Sequence, residues 1–148
     1  MVMPLTAKQY LSQALFLRSA IRRTELQIEE IRTRASSAGG IRYDKLNVQT
    51  SPTNDTMTNF IIQLEKAEKK SIELMGDYYS TYATIQTQIN SVQPDIYRQI
   101  LSMRYLDGCK LERIADRLSY SDVYVRKLHG RALQAFSRQF LEGGAAGA

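Results

Sequence analysis

From Thr6 to Ala38 the chain has neither proline nor glycine, and apolar or small residues recur at Tyr10, Ala14, Leu17, Ile21, Thr24, Ile28, Ile31 and Ala35. The steps alternate four and three. That spacing gathers the set on one side of an α-helix and is out of phase with a strand. Thr6 stands where an N-cap is wanted. At about 1.5 Å per residue, thirty such residues span roughly 45 Å. The pattern recurs from about Thr56 to Ser91, through Met57, Ile61, Leu64, Ser71, Met75, Tyr78, Tyr82, Ile85 and Ile89. Glu68 interrupts this second stripe; Phe60, Ala67 and Leu74 widen it. Gly76 inside it costs about 1 kcal/mol relative to Ala.

Between the two runs lies "SSAGGIRYDKLNVQTSPTND", about residues 36–56. Gly39-Gly40 and Ser51-Pro52 predict a flexible loop. Residues 1–92 therefore read as a long antiparallel helical hairpin, coiled-coil-like. Plain core faces explain the stripes equally well. A two-helix hairpin buries little, so a homo-oligomer, or packing on the C-terminal part, is expected. Val92-Gln93-Pro94 ends the second helix, because proline lacks the amide and restrains its predecessor. Pro94 then opens a new helix at a first-turn position.

Residues 93–142 predict three helices and an all-α fold throughout. The first is "DIYRQILSMRYLDG", closed by Asp107-Gly108. The second, Leu111 to Leu118, has two turns, and the third starts after Ser121 and runs to about Leu141. A helix-turn-helix crosses two helices steeply, so its crossing point needs a small residue with apolar neighbours filling the angle. Ala115 is that residue. Ile114, Leu118, Tyr120, Val125 and Leu128 fall at offsets −1, +3, +5, +10 and +13 from it. Ser121 is placed to cap the third helix. The turn wants glycine where Ser119 stands, and a left-handed conformation there costs about 1–2 kcal/mol. Residues 143–148 are Gly/Ala-rich and are expected to form a flexible tail.

With Val125, Leu128, Ala132 and Phe136 inward, Ser121, Asp122, Tyr124, Arg126, Lys127, Gly130 and Arg131 are left as candidate DNA-binding residues on double-stranded DNA. The N-terminal end of a recognition helix enters the major groove. Arg126 suits a bidentate contact to guanine, whereas Lys127 and Arg131 suit phosphates. Asp122 complements the helix N-terminus or accepts from a cytosine amine. Gly130 fits a close approach to DNA or to another helix. Net charge of +5 and a pI near 9.4 lean the same way. The charge is +4 over residues 1–48, −2 over 49–94 and +3 over 95–148. Much of the first comes from Arg18, Arg22, Arg23, Arg32 and Arg34, read as a solubilising face or a second contact with an acidic partner.

"YRQILSMRYLDGCKLERIADRLSYSDVYVRKLHGRAL" resembles the promoter-reading C-terminal domain of bacterial sigma factors, which binds the minus-35 element. The resemblance implies that Arg126 lies beside promoter bases, Lys127 at a polar reading position and Arg131 against the backbone. It also implies contact with RNA polymerase. Asp122 and Val123 differ from the family's usual charged and polar pair. The layout as a whole, from "LTAKQYLSQA" onward, is similar to small prophage proteins grouped with late-gene regulators. It has no counterpart of the sigma domain that melts the minus-10 element.

Other chemistry finds no support. Cys109 and His129 share no orienting third group; Cys109 suits a small apolar position and His129 a partly exposed helix residue. Tyr78, Tyr79 and Tyr82 sit at packing spacing rather than as a stacking platform. No phosphate loop, paired carboxylates or metal-ligand spacing occurs, so neither enzyme activity nor a cofactor or metal is expected. One cysteine excludes an internal disulfide. No apolar run reaches a membrane span and no signal peptide is evident, so a cytoplasmic protein in a bacterial host is expected. The expected function is a phage-encoded, sequence-specific transcription regulator. The alternatives are a DNA-packaging adaptor of the small-terminase kind and a protein-interaction module that does not bind DNA.

Overall fold

The computed structural model describes residues 5–37 and 50–142, with side chains from Asp55 onward in the second stretch. Among the described residues every regular element is helical. Helix α1, Ala7–Leu11, opens on Thr6. The Thr6 hydroxyl accepts from the Gln9 amide at 3.1 Å, and Gln9 Oε1 accepts from the Thr6 amide at 3.0 Å. Two orphan donors are thereby satisfied reciprocally. Ser12 separates α1 from α2, Gln13–Ala35. Its hydroxyl donates to the Lys8 carbonyl at 2.6 Å, a bond that competes with the helix ladder.

Helix α3 runs Thr50–Asn90. The stretch from Thr50 to Thr56, expected as loop, is therefore helical. Pro52 is compatible because first-turn amides have no intrahelical acceptor. The rest of the expected link, residues 38–49, and the tail, residues 143–148, lie outside the described residues. Helix α4, Asp95–Leu101, has Pro94 as its N-cap rather than as a first-turn residue. It continues into a π-helical turn, Ser102–Leu106, and Gly108 at φ 76° ends the run. Helices α5, Leu111–Leu118, and α6, Asp122–Phe136, follow, and Ser137–Glu142 prolong α6 as a π-helical turn.

The contacts form two compact units, Met1–Phe16 with Tyr78–Ala148, and Leu17–Asp77. The division does not fall at residue 92. In the first unit α4, α5 and α6 enclose Ile100, Ile114, Ala115, Val125 and Leu128, with Ile96, Met103 and Leu118 packed against them. This trihelical core covers only the first half of α6. Ala132 and Phe136, farther along the same face, are buried with Leu11, Ala14, Ile85, Ile89 and Val92. The beginning of the chain and the end of α3 are thus part of the wall behind α6. Burying each large apolar side chain contributes about 1.5–3 kcal/mol. Polar bonds fix the join: Tyr10 Oη donates to Gln88 Oε1 at 2.8 Å, Gln139 Nε2 to Ser91 Oγ at 3.0 Å, and Arg98 Nη1 to the Val92 carbonyl at 2.8 Å.

In the second unit α2 and α3 run antiparallel, with Arg32 on Glu68 at 3.0 Å. The α2 stripe faces inward as expected, with Thr24 and Ile31 buried and Leu17, Ile21, Ile28 and Ala35 half-buried. On α3 the inner line runs through Phe60, Leu64, Ala67, Ser71 and Leu74. Ile61 and Met75 leave the expected stripe and are 52% and 37% exposed. Each lies one residue past the inner line, about 100° farther round the helix.

Candidate nucleic-acid interface

The turn between α5 and α6 is built from backbone bonds. The Tyr120 amide donates to the Ala115 carbonyl at 3.0 Å and the Ser119 amide to the Asp116 carbonyl at 3.3 Å. This is a Schellman closure, which requires a left-handed residue after the helix. Ser119 takes that conformation, at φ 60° and ψ 40°, without being glycine. Ser121 then caps α6, its hydroxyl accepting from the Tyr124 amide at 3.1 Å. Ala115 is fully buried at the crossing, together with Ile114 and Val125, and Leu128 is nearly so.

Tyr120 differs from expectation. It was expected to fill the angle between the helices but is 42% exposed. Its ring meets Tyr124 edge-on at 5.1 Å and 89°. Ile96 and Ile100 of α4, with Met103 of the π-helical turn that follows it, help to fill the angle, which leaves no need for a ring there.

All seven predicted DNA-binding residues, Ser121, Asp122, Tyr124, Arg126, Lys127, Gly130 and Arg131, are exposed on this one helix and its cap. At about 100° per residue, Val123, Lys127, Gly130 and Gln134 share an outward arc of roughly 60°, opposite Val125, Leu128 and Ala132. Arg126 and Arg131 flank that arc on either side, while Asp122 and Tyr124 lie farther round, toward the buried side. Among the described residues Arg126, Lys127 and Arg131 have no ion pair or hydrogen-bond partner for their side chains, nor do Lys110, Arg113 and Arg117 around α5. A Cβ added at Gly130 meets nothing within 4 Å, so no other helix requires the glycine.

His129 points away from this face. Its Nε2 shares a 2.7 Å hydrogen bond with the hydroxyl of buried Tyr105, and the two rings stack at 5.7 Å. Burial pushes the imidazole down to about 4, with Arg104 and Lys8 adding to the effect. His129 is therefore neutral near pH 7 and packs structurally; Cys109 is half-buried beside the trihelical core. The Tyr105–His129 pair has no sequence signal, because its members stand 24 residues apart with no shared period. The described residues contain no cluster of metal-ligating side chains and no helix long and apolar enough to cross a membrane.

No curated protein and no solved structure matches the chain significantly. Residues 94–136, less than a third of the chain, match the family model Sigma-70, region 4. That segment holds α4, α5 and α6, so the helix-turn-helix is similar to the DNA-binding region of sigma factors that reads the minus-35 element.

Proposed function

We propose that the chain is a sequence-specific transcription regulator, phage-encoded, that docks α6 in the major groove of double-stranded DNA. One observation carries this: the exposed face of α6 presents Arg126, Lys127 and Arg131 with no internal partner among the described residues. Unneutralised cations beside an apolar-backed helix suit phosphate and base edges alike. The match to Sigma-70, region 4 supports the same reading and favours RNA polymerase as a second partner. The phage origin rests on the resemblance of the whole layout to prophage late-gene regulators. We assign Arg126 and the mid-face Lys127 to bases and Arg131 to phosphate. In this reading the helical pair mediates self-association, which the exposure of Leu26, Ile61 and Ile72 supports.

The test is selection from a randomised duplex pool by the full chain. A defined motif should enrich. Arg126→Ala should relax one position, at about 1–3 kcal/mol. Arg131→Ala should weaken all sites alike and lower the slope of log affinity against log salt by about one. Absence of enrichment at moderate salt, with neither variant losing affinity, would sink the proposal.

A further inference from the structure

We infer that Val123 is a base-reading residue and that its ligand is the C5-methyl group of a thymine, an inference that rests on the DNA-reading function above. Val123 is 61% exposed and lies on α6 opposite the buried Val125 and Leu128, so folding gives its isopropyl group no packing role. It lies on the outward midline with Lys127, in the first turn, the part of a recognition helix that goes deepest into the groove. Tyr120 and Tyr124, held edge-on at 5.1 Å, add further apolar surface at the same end of the helix.

The surroundings identify the occupant. Arg126 and Lys127 lie one turn from the apolar spot and Arg131 about two turns along the same helix, all three without an ion-pair partner among the described residues, which favours a polyanion over an apolar protein face. Within a major groove the only apolar group on a base edge is the thymine methyl. Gly130 extends the same midline with no side chain and open space around it, which lets the helix settle toward the groove floor.

The test replaces each thymine of the selected duplex, singly, with deoxyuridine, which removes only the methyl. At one position, binding by the full chain should weaken about fourfold, the worth of one methyl group returned to water. Val123→Ala should abolish that difference while still binding the uracil duplex. A selected motif in which no thymine-to-uracil change matters would overturn the role of Val123 and leave DNA reading intact. So would methyl dependence that persists in Val123→Ala. Failure to select any motif would overturn both, and binding of the exposed face to a protein instead would count as the same failure.

Discussion

Ser119 and Gly130 invert the usual placing of glycine. Ser119 holds the left-handed position of a turn, at φ 60°, where a Cβ is strained. Gly130 sits mid-helix, where a Cβ would be free of contacts. Ser119→Gly should therefore stabilise the chain by about 1 kcal/mol in urea unfolding and leave DNA affinity unchanged. Gly130→Ala should also stabilise it, by about 1 kcal/mol from helix propensity, yet weaken DNA binding severalfold. Tight binding by Gly130→Ala would show that the glycine serves no close approach. The strain at Ser119 was legible in the sequence, because a turn of three residues after Leu118 needs a left-handed step. The empty space at Gly130 was not, because it depends on which helices pass nearby.

At the scale of elements, α6 is the point of convergence. Its first half closes the trihelical core and its second half is held by α1 and the end of α3. His129 lies between these halves, bonded to Tyr105. Its folded pKa, about 4, is below the ordinary 6.5, so the unfolded chain takes up the proton first. The stability linked to it is fully present above pH 6.5, falls as the pH drops from 6.5 toward 4, and changes no further below that. The slope should stay under the single-proton limit of about 1.4 kcal/mol per pH unit, since the ring is only half-buried. Thermal unfolding between pH 7 and 4 should show a shallower decline for His129→Gln than for the wild-type chain. Parallel curves would rule out the histidine as the source. The register of α6 followed from the offsets around Ala115, which are fixed by helix geometry. The exclusion of Tyr120 from the core did not follow, because α4 supplies the apolar groups that fill the same angle.

At the scale of the whole molecule, the two units differ in how much they bury. The first has two apolar clusters; among the described residues the second hides little more than Thr24, Ile31, Ala67 and Ser71, and leaves Ile72 69% exposed. Light scattering should report an oligomer, and Ile72→Glu should lower its mass, because a charge on that face opposes its burial. Ring-sized particles combined with weak sequence preference would instead favour the packaging-adaptor function. Periods and fixed offsets in the chain were enough to read the helices, the helix-turn-helix, the Ser121 cap and the outward set from Asp122 to Arg131. Those features rest on interactions three, four or about thirteen residues apart, which leave a period or a fixed offset in the chain. No such mark in the chain shows that Leu11 and Ala14 back a helix lying more than a hundred residues later, that Ile61 and Met75 turn outward, or that His129 belongs to Tyr105; these come from the packing of the folded chain. Contacts between distant segments depend on volume and on which faces remain uncovered, and such quantities have no period to be read.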